Sequence, residues 1–241
     1  ETISFRFYKN NRKQHKFDSF IIGSSRSQAF KIIDWNKYLQ SPSSFHFSAN
    51  SEGIYGILNK LRYIDAVGDS IRNVLLILDE GCMLSNINKD GHIHISPPEL
   101  SKESKIAYYK TFLNASLDPR FIRAYFDYVI TNKYKPHMEG IIAQSVFPRN
   151  PINGDVWYST YEDSIRNDSL GYYSNLVDIG VFYDRSVQEK NDYPAMKAIE
   201  KEQLREISFI LNKHSSKYKI VISPLYDQQV LSPERLQFLI Q

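Results

Sequence analysis

Apolar runs at 19–22, 45–49, 73–79 and 218–223 are short and bounded by turn residues, the pattern of strands buried on both faces of a parallel sheet. Between them, apolar positions recur at helical spacing. Residues 27–39 predict one helix. Residues 53–70 predict a second, with Ile54, Ile57, Leu58, Leu61 and Ile64 on one face. Residues 195–213 predict a third, with Met196, Ile199, Leu204, Ile207, Ile210 and Leu211 along one side and charges opposite. Strand–helix–strand alternation implies right-handed crossovers and a site at the carboxyl ends of the strands. Ser25, Gly53, Asp79 and Pro224 all fall at that edge.

The pattern changes between residues 84 and 190, which read as an insertion capping the carboxyl edge within one domain spanning 1–241. The dipeptide Asp90-Gly91, followed by the alternation His92-Ile93-His94-Ile95, predicts a hairpin. Helices are expected over 101–116 and 119–132, the second opening on Asp118-Pro119. Residues 147–173 then read as an aromatic loop carrying Trp157, Tyr158, Tyr161, Tyr172 and Tyr173, either a wall for stacking a glycan or ordinary packing of the insertion.

Composition narrows the class. A chain of 241 residues with 42% hydrophobic and 24% charged residues is ordinary for a globular α/β protein. The net charge of +3 makes no nucleic-acid case; the basic cluster Lys9, Arg12, Lys13 and Lys16 reads as a solvated terminal segment. Cys82 has no cysteine to pair with and reads as a small core residue. The apolar runs are strand-sized, so no membrane span is expected, and Glu1 at the start is compatible with a removed anchor or signal.

The chemistry concentrates in Phe20-Ile21-Ile22-Gly23-Ser24-Ser25-Arg26-Ser27. A strand-length apolar run ends on glycine and opens into serines, placing a hydroxyl on a tight turn beside helix N-terminal amides able to hold an oxyanion. The same residues also suit a simple helix cap. Arg26 can hold an anionic group or pair with Asp79 or Glu80 at the same edge.

Phe17-Asp18-Ser19-Phe20-Ile21-Ile22-Gly23-Ser24-Ser25-Arg26-Ser27 resembles the first block of the SGNH/GDSL hydrolase superfamily. The likeness is to its divergent Gly-Ser-Ser branch, which includes envelope acyl-transfer proteins of the DltD type. Phe45-His46-Phe47-Ser48-Ala49-Asn50-Ser51-Glu52-Gly53 resembles the second block, Asn73–Gly81 the third strand, and Lys219–Tyr226 the late strand ending in Ser-Pro. The resemblance implies a three-layer α/β/α fold with a flavodoxin-like parallel sheet and a mainly helical insertion. It makes Ser25 the nucleophile, with oxyanion amides from Ser25 or Arg26 and from Gly53, Gly56 being the runner-up. No cofactor is implied.

The departures from the family matter equally. Asp79 and Glu80 stand where an oxyanion-binding Asn is usual, and an ionised carboxylate has no proton to donate. No histidine follows His214, which itself ends a helix at the opposite side of the sheet. Ser25 therefore lacks a recognisable base: either the base lies outside this chain or the chain is a non-catalytic relative. His137, in a loop, is the internal candidate that could swing toward Ser25. His46 reads as a packed strand residue. His92 and His94 share a strand face and suggest a metal only weakly, without a third ligand, so no metal is assigned. The reading is thus a serine esterase or acyltransferase for an acylated envelope or extracellular carbohydrate. Its alternative is an inactive member holding a glycan or partner protein in the same cleft.

Overall fold

The computed structural model describes residues 2–40, 42–142, 148–183, 194–223 and 231–240. The chain opens with helix α1 (Thr2–His15), and strand β1 (Ser19–Gly23) follows. A 3-10 turn, Ser25–Ala29, leads to the four-residue helix α2 (Ile32–Trp35). Strand β2 (Ser44–Ser48), helix α3 (Ile54–Ala66), strand β3 (Asn73–Leu78) and helix α4 (Glu80–Leu84) complete the first half. Helices α5 (Pro98–Ser101), α6 (Lys105–Ser116), α7 (Pro119–Thr131), α8 (Ser159–Asn167) and α9 (Ser169–Asp178) come next. Helix α10 (Ala198–Lys213), strand β4 (Lys217–Ile222) and helix α11 (Pro233–Ile240) close the described chain.

The strands form one parallel sheet in the order β2-β1-β3-β4. This is the flavodoxin-like arrangement expected, in a three-layer α/β/α fold. Gly23 pairs in register with Ser48 on one side and Ile77 on the other, so the ends of β1, β2 and β3 share an edge. No described helix is long and apolar enough to cross a membrane.

The two sheet faces are filled differently. Phe20 and Ile22 of β1, Phe45 and Phe47 of β2, and Val74, Leu76 and Leu78 of β3 point into one large core with α1, α3 and α10. Among the described residues the apolar cluster of the opposite face is small, Ile21, Ile32, Leu75 and Ile77, with Phe30, Trp35 and Val221 partly covered against them. That third layer is thin, and it is the layer that carries the serine turn.

Several expected elements take another form. The basic start is largely helix α1: Lys9, Lys13 and Lys16 are exposed as expected, while Phe5 and Tyr8 of the same helix are in the core. Its Arg12 pairs with Asp69, donating through Nε at 2.6 Å and Nη2 at 2.8 Å. The single helix expected over 27–39 is broken, because Phe30 adopts extended backbone and the carboxylate of Asp155 captures the Ile32 amide at 3.1 Å, starting a new helix. The hairpin at Asp90-Gly91 is a turn without strands: Asn88 Oδ1 takes the Ser96 amide at 3.0 Å, and His94 and Ile95 donate back to Gly91 O. Part of the aromatic loop is helical, placing Tyr161 on α8 and Tyr172 and Tyr173 on α9. These rings pack on one another, with centroids 6.5 Å apart for Tyr161–Tyr172 and 5.3 Å for Tyr172–Tyr173. The Asp118 cap before Pro119 holds as expected, Asp118 Oδ1 accepting from Arg120 N at 2.8 Å.

Candidate functional site

Gly23 ends β1 against the backbone of β3, where a Cβ would sit 2.7 Å from Ile77 O, so the turn out of the strand can hug the sheet only with glycine. Ser24 caps the turn, its Oγ accepting from Arg26 N at 3.4 Å, and is buried. Ser25 is the first residue of the turn and is exposed. Among the described residues no group hydrogen-bonds its hydroxyl. Placement at the carboxyl edge thus comes from a glycine that permits the turn and a serine that fixes it.

The acidic residues at the end of β3 are both committed. Arg26 Nη1 donates to Asp79 Oδ2 at 2.8 Å, and the other Asp79 oxygen caps α4 by accepting from Cys82 N at 2.8 Å. The pairing reading of Arg26 is therefore the one realised. The Arg26 amide expected to serve an oxyanion is turned instead to Ser24 Oγ, because the serine completes the cap. Glu80, expected at the rim, is withdrawn into the interior: Oε1 accepts from Arg235 Nη1 at 2.7 Å and Oε2 from Ser232 N at 3.0 Å. Arg235 Nη2 also reaches Glu200 Oε2 at 2.9 Å, closing a buried carboxylate–guanidinium–carboxylate bridge. Cys82 beside them is buried, which pushes its thiol far up from the ordinary range.

Gly53 caps α3 and is buried against Ser85, whose carbonyl oxygen would lie 2.1 Å from an added Cβ. Before it, Glu52 is ion-paired with the buried Lys60. His137 is engaged elsewhere, 3.3 Å from Asp127 of α7, a carboxylate it shares with Lys135. His214, at the end of α10, has its Nε2 2.9 Å from Asp65 Oδ1 of α3. His92 and His94 do not share a strand, and no group of three or more potential metal ligands occurs among the described residues. Pro224, expected at the edge, lies outside the described residues.

The histidine that does meet a serine is His46. Its Nε2 is 3.0 Å from Ser27 Oγ and its Nδ1 is 2.9 Å from Asp155 Oδ1, the atom order of a serine–histidine–aspartate relay. All three side chains are buried, Ser27 and His46 completely. Burial lowers the His46 pKa against the opposing pull of Asp155, so the ring is neutral near pH 7. The Asp155 carboxylate then fixes the proton on Nδ1, so the single Ser27 hydroxyl proton faces two acceptors, His46 Nε2 and Ser24 O. Ser27 Oγ also lies 2.7 Å from Ser24 O. The relay ties the serine turn, β2 and the 149–156 loop together; with no surface at Ser27, it positions the turn and does not meet substrate.

Sequence reasoning missed this chain. The available signal was the alternation in β2: Ser44, His46 and Ser48 face opposite to Phe45 and Phe47, so a polar partner was required. Asp155 is 109 positions from His46, and no local pattern names it. Around the turn, Lys31 lies 5.6 Å from the Trp157 ring and 5.2 Å from the Tyr158 ring, and Tyr158 Oη donates to Gln28. Compared with protein-family models, curated proteins and solved structures, this chain matches none.

Proposed function

We propose that the chain carries an SGNH-like acyl-ester site with Ser25 as nucleophile, acting on an acylated carbohydrate of the envelope or extracellular space. The observation that carries this reading is the position of Ser25: exposed, first in a turn at the carboxyl end of β1, with a hydroxyl no described side chain engages. Attack on an ester carbonyl would place the developing oxyanion beside the Ser25 amide, which heads the turn and has no intrahelical acceptor. Arg26 is held aside by Asp79 and shapes the rim.

A specific observation favours a second reading, a catalytically inactive relative that binds in the same cleft. No described histidine bonds Ser25, and a serine without a base is a weak nucleophile. The two readings separate on acylation. The chain is expected to turn over p-nitrophenyl acetate slowly, since a site lacking one triad member retains only about 10³–10⁴-fold acceleration over water. Under the first reading, intact-mass and peptide analysis after exposure to a fluorophosphonate finds an adduct on Ser25 that is absent from Ser25→Ala. Absence of any Ser25 adduct, with parent and Ser25→Ala hydrolysing ester equally, would overturn the nucleophile and leave the binding reading.

A further inference from the structure

Beside the serine turn, the carboxyl end of β2 opens into a cavity of about 610 Å³ between α1, α6 and the 149–156 loop. That size is in the range of small-molecule sites, roughly 300–1,000 Å³. Its floor is Ser48, Ala49 and Asn50. Ala49 N donates to Gly23 O at 3.2 Å, so the floor lies one strand away from the Gly23–Ser24 turn. Tyr108, Tyr109 and Phe112 of α6 form one wall.

The two permanent charges on this cavity are of one sign. Arg149 enters from the loop and Arg6 from α1, with the His92 ring beside them; no Asp or Glu lines it. Arg149 is largely covered, and its Nη1 donates to two neutral acceptors, Ser48 Oγ at 3.1 Å and Gly154 O at 2.9 Å. Among the described residues neither Arg149 nor Arg6 forms an ion pair, whereas the buried Arg235 has two carboxylates. Burial lowers the Arg149 pKa, and the nearby Tyr158 and Asp155 only partly compensate. A desolvated guanidinium is costly unless an anion meets it, and its planar fork suits carboxylate and phosphate oxygens. Its Nη2 and Nε hydrogens have no acceptor among the described residues.

We propose that this cavity is an anion-binding site, in which Arg149 and Arg6 hold the oxyanion of a small ligand whose body lies against the Tyr108–Phe112 wall. Carboxylate and phosphate present the same oxygens to these arginines. The inference does not depend on Ser25, because it concerns binding alone.

The test is isothermal titration of the whole chain with glucuronate, glucose 1-phosphate, inorganic phosphate and glucose. At least one of the sugar anions is expected to bind about tenfold or more tightly than glucose, the scale of one charge-assisted hydrogen bond. That affinity falls with added salt. Preference between glucuronate and glucose 1-phosphate identifies which oxyanion the site takes, and inorganic phosphate binding as well as glucose 1-phosphate assigns the affinity to the anion rather than the wall. Arg149→Lys, which keeps charge but loses the fork, is expected to weaken binding about tenfold, and the exposed Arg6→Gln several-fold. Circular dichroism checks that Arg149→Lys folds; if it does not, Arg6→Gln and the salt dependence decide. Glucose binding as tightly as both sugar anions, no binding of any anion, or unchanged affinity in the folded variants would overturn the proposal.

Discussion

The two faces of this sheet solve the burial problem by opposite means. On one face, aromatic and aliphatic side chains of β1, β2 and β3 meet α1, α3 and α10, with Tyr8 at ring-to-ring distances of 5.3 Å from Phe45 and 5.1 Å from Phe47. On the other, Ser27, His46 and Asp155 stand where apolar residues would otherwise pack, joined by directed hydrogen bonds. The apolar face gains from area, which is tolerant of detail. The polar face depends on every partner being present, because each lost partner strands a buried donor or acceptor. A thin layer built in this way holds the serine turn at one position without a thick helical layer above it.

The largest effect is expected from truncating the apolar face. Phe45→Ala should lower stability by about 3–5 kcal/mol in urea unfolding, the usual range for a buried Phe. A loss well under that range would mean the aromatic cluster is less decisive than its packing suggests.

On the polar face, Asp155→Ala removes the acceptor of both His46 Nδ1 and the Ile32 amide. A loss of about 2–3 kcal/mol is expected from two stranded groups. The pH dependence sharpens the contrast. The His46 pKa is lowered in the fold, so the unfolded chain binds the extra proton more readily. The stability owed to neutral His46 is therefore complete above the unfolded imidazole value of about 6.5 and is lost as pH falls below it. Unfolding midpoints from pH 7 to 5 should fall more steeply for the parent than for His46→Gln. Equal slopes would show that the polar face is not the acid-sensitive one.

The smallest effect belongs outside both faces. Leu170 on α9 is 87% exposed, and Leu170→Ala should shift stability by no more than about 0.5 kcal/mol. A larger loss would reveal a third packed surface.

The strands were legible in the sequence because burial on both faces leaves continuous apolar runs, as in Val74–Leu78. The serine turn was legible because glycine and serine carry local conformational meaning, and the Arg26–Asp79 pair because both fall at one edge. What escaped was set by distant partners. The 27–39 pattern is helical in period, yet Asp155 divides it. Glu80 looks like a rim carboxylate until Arg235, contributed by α11, draws it inward. The Asp90-Gly91 signal had a turn's chemistry but no strand for either arm to pair with.

The placement of β4 has a consequence for how the chain emerges from a ribosome. Strands β1, β2 and β3 are separated by short crossovers, but all of α5 to α10 must be made before Lys217 can pair with Asn73. At ordinary synthesis rates of roughly 5–20 residues per second, that interval is on the order of ten seconds. Throughout it, the outer edge of β3 has no native strand to pair with. A nascent chain in that condition is a natural client for a holding chaperone, and the vulnerable segment would be Asn73–Leu78.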